Sequence, residues 1–104
     1  MDVMLLTVPD CPNLPLIEER LTEALSGRPE IHVARHIVTD HRQAQELGMH
    51  GSPTILVNGR DPFAQPGQPA GLACRLYRHA GGVSGAPSVA QLRAALAGEA
   101  GDHT

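Results

Sequence analysis

The sequence predicts one α/β domain, and three observations carry that prediction. A nearly continuous apolar run, Val3–Val8, reads as a strand buried on both faces. A stretch with apolar residues at helical spacing follows it, and then a second strand pattern. A cysteine, Cys11, stands where the first strand gives way to the first helix.

The elements follow in order. Pro9 and Asp10 end the first strand. From Pro12 the pattern is helical: Leu14, Ile17, Leu21, Ala24 and Leu25 form one face, and Glu18, Glu19 and Glu23 the other. Pro12 suits the first helical position, where its missing N–H costs nothing. Gly27 and Pro29 close the helix. Ile31–Val38 is the second strand, with Ile31, Val33, Arg35 and Ile37 on one side and two histidines on the other. That mix suits a sheet edge. The strand-helix-strand spacing implies parallel pairing through a right-handed crossover. Thr39 or Asp40 caps a short helix that runs through Leu47 and stops at Gly48. Thr54–Val57 is a third strand, and Asn58-Gly59 a tight turn. An irregular stretch rich in proline and glycine, 60–71, comes next. In it, Phe63 is expected to cover the sheet end and Arg60 to pair with Asp61. Leu72–Tyr77 alternates as a fourth strand, and Cys74 shares a face with Leu72 and Leu76, where it reads as a packed small hydrophobe. Ser88 and Gln91 form a capping box for the last helix, whose stripe is Val89, Leu92, Ala95 and Leu96. The domain takes residues 1–98, and 99–104 form a flexible tail.

Composition narrows the chemistry. Phe63 and Tyr77 are the only aromatic residues, so the core must be aliphatic. Every basic residue is arginine, which excludes lysine Schiff bases and a phosphate-loop lysine. A net charge of -3 with no basic, aromatic-laced patch excludes nucleic acid as the expected partner. No apolar run approaches spanning length and no basic region precedes Val3, so no membrane partner and a cytoplasmic location are expected. His32 and His36 lie roughly 13 Å apart along a strand, too far for one metal, and His50 reads as a loop residue. No metal or other cofactor is expected. Two cysteines suggest reactive thiols or a core residue, not a disulfide scaffold.

The order β-α-β-α-β-β-α, with Cys11-Pro12 at its first junction and Gly51-Ser52-Pro53-Thr54 leading into its third strand, resembles the thioredoxin superfamily over nearly the whole chain. The strongest segment is Ala44–Thr54, AQELGMHGSPT, and Gly81–Leu92 is similar to the family's closing glycine, turn and capped helix. Cys11-Pro12 is closer to glutaredoxins than to thioredoxins proper. The resemblance implies a thioredoxin-like α/β fold: a four-stranded mixed sheet of order 2-1-3-4 with helices on both faces. The third strand would run antiparallel to the first, and the fourth antiparallel to the third. It also implies a cis bond before Pro53, which would offer Ser52 to an extended substrate beside the thiol. Pro12, Ser52, Pro53 and Thr54 are thus the expected substrate-binding residues. One departure matters: Leu14 stands where a dithiol enzyme carries its second cysteine.

Cys11 is the expected nucleophile. The backbone N–H groups of the first helical turn favour a negatively charged sulfur, and Asp10 opposes it. Cys11 is therefore expected to be partly exposed and the more reactive thiol, with Cys74 a possible second one. The leading reading is a monothiol thiol-disulfide oxidoreductase. Its substrate is a protein or small-molecule thiol or disulfide, and a low-molecular-weight thiol resolves the mixed disulfide. The alternative is a binding module without turnover, since a fold does not fix a function. A third reading is soft-metal or organomercurial handling like that of alkylmercury lyases, which use two cysteines and an aspartate. Cys11, Cys74 and Asp10 supply the same residue types. It requires Cys74 near Cys11.

Overall fold

The first strand, β1 (Val3–Thr7), runs through the centre of a three-stranded sheet. In the computed structural model, which describes residues 1–101 and the side chains of 1–98, β1 leads through a turn into α1 (Leu14–Ala24). Asn13 is the N-cap, so the helix starts two residues later than Pro12 suggested. The first α-helical bond runs from Ile17 N–H to the Asn13 carbonyl, and Leu14 N–H instead closes a turn onto the Cys11 carbonyl. Pro15 is accommodated in the first turn. β2 (Val33–Ile37) pairs parallel with β1, Val3 opposite Val33, and lies at the sheet edge. Arg35, the odd residue of its inner face, forms an ion pair with Glu18 of α1.

The side chain of Asp40 caps α2 (His41–Leu47) by accepting from Gln43 N–H at 2.8 Å, and Gly48 closes the helix. A short strand that sequence patterning does not mark, β3 (His50–Ser52), precedes β4 (Thr54–Val57), and the Ser52–Pro53 bond between them is cis. β4 runs antiparallel to β1, so the sheet order is β2-β1-β4.

The expected fourth strand is not in this sheet. Asn58 and Gly59 both take left-handed conformations, φ 53° and 81°, and make a two-residue turn that pairs Val57 with Arg60. Pairing along β4 ends there, because Pro62 has no N–H to offer and Asp61 turns inward. The Leu72–Tyr77 segment is split instead. β5 (Gly71–Cys74) pairs parallel with β3, and β6 (Tyr77–His79) forms a hairpin with β7 (Gly82–Ser84). The break falls at Arg75, whose buried side chain is held by Asp61. The predicted Ser88–Gln91 capping box opens α3 (Val89–Gly101), with reciprocal bonds of 2.9 and 3.1 Å. Helix α3 thus takes in residues 99–101 of the expected tail; the expectation for 102–104 lies outside the described residues.

Two apolar clusters cover the sheet. Val3, Leu5, Ile55 and Val57 pack with Ile17 and Leu21 of α1 and Leu92 and Leu96 of α3. On the other face Leu6, Leu56 and Val38 pack with Ala44 of α2 and Met49. The molecule is therefore a compact α/β fold with helices on both sheet faces. The core is aliphatic, as the composition requires, except for Tyr77.

Candidate functional site

β1 ends beside two chain segments, the turn that carries Cys11 and the loop that carries cis-Pro53. Asp10 adopts φ 57°, a left-handed conformation uncommon for a residue other than glycine, and thereby turns the chain from strand to helix. Cys11 follows two residues before the N-cap of α1 and is buried, with 7 % of its surface exposed. This corrects the expectation of a partly exposed nucleophile. The group that reaches its sulfur is the Ser52 hydroxyl, which donates to Cys11 Sγ at 3.0 Å.

Ser52 is itself 1 % exposed, and its oxygen accepts from Val8 N–H at 3.1 Å. The hydroxyl therefore ties the end of the central strand to the thiol. Its carbonyl accepts from Arg75 N–H at 3.0 Å, so the backbone edge of Ser52 is occupied by the chain's own β5 segment. Gly51 makes that approach feasible. Its φ is 105°, and a Cβ there would lie 3.0 Å from both the Ala73 carbonyl oxygen and Arg75 Cβ. Thr54 is fully buried. Its hydroxyl donates to the Gly51 carbonyl at 2.6 Å and accepts from His50 N–H and from Arg75, which uses all its hydrogen-bonding capacity. Of the other expected contacts, Pro53 is buried and Pro12 exposed.

Behind the cis-proline lies a polar cluster that the sequence reading missed. Arg75, 5 % exposed, bonds Asp61 Oδ2 at 2.6 Å, Thr54 Oγ1 at 3.2 Å and the Phe63 carbonyl at 3.0 Å. Its guanidinium lies 4.5 Å from the centre of the Tyr77 ring, and Phe63 meets the same ring edge-on at 5.5 Å. The Tyr77 hydroxyl donates to the Pro53 carbonyl at 2.5 Å. Burial pushes this phenol well above its ordinary value. The Arg75 charge opposes the rise, and the nearby Asp61 and Cys11 add to it. The signal for the cluster was an arginine inside an alternating apolar run, together with the lone tyrosine two residues on.

The same cluster inverts the faces expected for Leu72–Tyr77. Arg75 and Tyr77 point inward, while Cys74 and Leu76 are exposed. Cys74 is therefore not a packed hydrophobe. It is the register partner of Ser52 across the β3–β5 pair, and with His50, Gly51 and Leu72 it lines an open cavity of about 320 Å³. His50 contacts the Pro69 carbonyl at 3.3 Å. His32, His36 and Asp10 are exposed. Among the described residues no group of three or more His, Cys, Asp or Glu side chains is arranged to hold a metal ion, and no helix is long and apolar enough to cross a membrane. No family model, curated protein or solved structure matches the chain.

Proposed function

We propose that this protein is a thioredoxin-like thiol-disulfide exchange protein in which Cys11 is the nucleophile. The observation that carries the reading is the Ser52 hydroxyl donating to Cys11 Sγ at 3.0 Å, on the loop held by cis-Pro53. A hydrogen bond to sulfur stabilises it as an attacking thiolate and again as the leaving group when the mixed disulfide is resolved. The fold supports the same reading. A strand-to-helix cysteine faces a cis-proline loop, β4 is antiparallel to β1, and α1 and α3 lie opposite α2. In this proposal the chain is a variant of the 2-1-3-4 arrangement whose last strand is replaced by β5 and the β6–β7 hairpin.

The reaction is two successive exchanges. Cys11 thiolate attacks a disulfide R–S–S–R, forms Cys11–S–S–R and expels one R–S⁻. A second, low-molecular-weight thiolate then attacks the R sulfur and releases Cys11 thiolate. The second R group leaves in a mixed disulfide with that thiol, and a second equivalent of the thiol then releases it as R–S⁻. Two thiols together thus supply the two electrons that reduce the original disulfide and end as their own disulfide. A small disulfide fits better than an extended peptide, because the backbone edge of Ser52 is already filled by β5.

The test uses oxidised glutathione and mass mapping of the quenched protein. A glutathione adduct on Cys11 is expected in the folded Cys74→Ser variant, at a rate that falls when Ser52 is replaced by alanine. A Cys11 that stays free in the folded variant, while reacting in denaturant, would overturn the proposal and leave a binding module.

A further inference from the structure

β5 places the second cysteine one strand away from the serine that holds the first. Ser52 and Cys74 are register partners in the β3–β5 pair, and Ser52 also holds the Cys11 sulfur. Neighbouring strands lie about 4.8 Å apart. Because the register shifts between the His50 and Ser52 pairs, the exposed Cys74 thiol must turn inward past the buried Ser52 to reach Cys11. One serine, hydrogen-bonded to Cys11, thus has the backbone of Cys74 at its side. Cys74 is exposed, so nothing must be unpacked to bring its thiol into play. The backbone bonds around it, Gly71 N–H to the Met49 carbonyl and Arg75 N–H to the Ser52 carbonyl, dock this segment along the chain that leads into the cis-proline.

We infer that Cys74 is an internal resolving thiol, presented to Cys11 by a strand of the same chain docked beside the cis-proline loop. The inference rests on Cys11 being the nucleophile and replaces the external thiol in the second exchange. After Cys11 forms Cys11–S–S–R, Cys74 thiolate attacks Cys11 Sγ, expels R–S⁻ and leaves a Cys11–Cys74 disulfide. Over both steps R–S–S–R is reduced to two thiols, and the two protein thiols give up two electrons and two protons. A dithiol reductant of small size then returns the protein to its starting state. Closing the disulfide requires the two Cα atoms to come within about 4.4–6.8 Å. The strand that moves is well suited to do so. β5 has four residues and a single strand neighbour, and the chain before it, from Pro62 to Ala70, contains no helix or strand.

Leu14 gives the inference its chemical sense. The position that would carry a resolving cysteine in the first helical turn is a leucine, part of the apolar face of α1. The second thiol arrives from the opposite side, through the cis-proline loop.

The experiment compares the reduced wild-type protein with Cys74→Ser after one equivalent of oxidised glutathione, by acid quenching, mass mapping and non-reducing electrophoresis. Wild type is expected to lose two hydrogens and contain a Cys11–Cys74 link within one chain, with two glutathione thiols released. Cys74→Ser should stop at the Cys11 adduct with one released. With glutathione thiol near about 0.1 mM, an internal thiol acting at about 1 mM or more shortens the adduct's life at least about tenfold. If the Cys11 adduct persists equally in both proteins, or links form only between chains, the inference is overturned while Cys11 remains the nucleophile. If Cys11 is modified in neither protein, the proposed function fails and the inference falls with it.

Discussion

Replacing Arg75 with methionine removes the cation from the cluster behind the cis-proline while keeping much of its apolar stem. The Asp61 side chain, 3 % exposed, then loses a bond of 2.6 Å to a guanidinium that is itself 5 % exposed. It keeps the bond from the Phe63 N–H at 2.8 Å, which does not neutralise a carboxylate. Removing one partner of a buried pair costs about 3–5 kcal/mol, because a charge is left without its counter-charge. The bonds to the Phe63 carbonyl and Thr54 hydroxyl and the stacking on Tyr77 are lost with it, so the upper half of that range is expected. For a domain whose total stability is about 5–15 kcal/mol, this is a large fraction. In urea unfolding followed by circular dichroism, a 4 kcal/mol loss with a slope of about 2 kcal/mol/M lowers the midpoint by about 2 M. Asp61→Asn added to Arg75→Met removes the orphaned charge and should recover part of the loss, giving a coupling of about 0.5–3 kcal/mol. A loss below about 1 kcal/mol for Arg75→Met, or strict additivity in the double variant, would show that the pair does not hold this region as argued.

Three further outcomes are expected. Ser52→Ala leaves the Val8 N–H without its partner, so stability should fall by about 1–3 kcal/mol in thermal or urea unfolding; an unchanged rate of glutathione exchange at Cys11 would separate Ser52 from the chemistry. Gly51→Ala forces a left-handed alanine with its Cβ 3.0 Å from the Ala73 carbonyl, costing about 1–3 kcal/mol; the Arg75 amide should then exchange hydrogen faster as β5 leaves β3, and unaltered protection would refute the close approach. Burial raises the Tyr77 pKa above its ordinary 10.0, so the folded state keeps a proton that the unfolded chain gives up. That contribution is complete below about pH 10 and is lost above it at about 1.4 kcal/mol per pH unit; Tyr77→Phe should lack this slope in alkaline urea titrations, and an identical slope in both proteins would refute it.

Where local signals governed, the sequence was legible. The run Val3–Val8, the Asp40 and Gly48 ends of α2, the Ser88–Gln91 box and the Asn58-Gly59 turn each depend on residues within a few positions of one another, and each lies where the pattern put it. The cis Ser52–Pro53 bond followed from the resemblance. What failed depends on contacts between distant positions. Whether Leu72–Tyr77 joins β4 turns on where Arg75 finds a counter-charge, and Asp61 lies fourteen positions away, beyond a turn. A period-two pattern fixes which residues share a face but not which face is inside. Cys74 and Leu76 share a face, as the pattern implied, but it is the exposed one, whereas Leu72 packs against the second apolar cluster. The exposures of the two cysteines were reversed for the same reason: Cys11 is covered at a junction of loops, and Cys74 sits opposite an arginine that claims the interior.

The missing fourth strand and the buried polar cluster are two aspects of one arrangement. With only β2, β1 and β4 in the main sheet, the cis-proline loop lies outside it and is flanked only by the short β5, through β3. On the inner side Ser52 is fixed to β1 through Val8. On the outer side the loop is held by Tyr77 on the Pro53 carbonyl and by Arg75 on the Thr54 hydroxyl, with Asp61 neutralising the arginine. These contacts are directional, so they fix the orientation of the 52–54 backbone, which apolar packing alone leaves free to shift. Orientation matters here because the Ser52 hydroxyl must keep Cys11 Sγ and Val8 N–H as partners at once. Arg75 extends the same logic to the second thiol: its backbone N–H bonds the Ser52 carbonyl while its side chain anchors to Asp61, so one residue holds β5, and Cys74 with it, against the loop. The buried Arg75–Asp61 ion pair thereby bears on the placement of both cysteines.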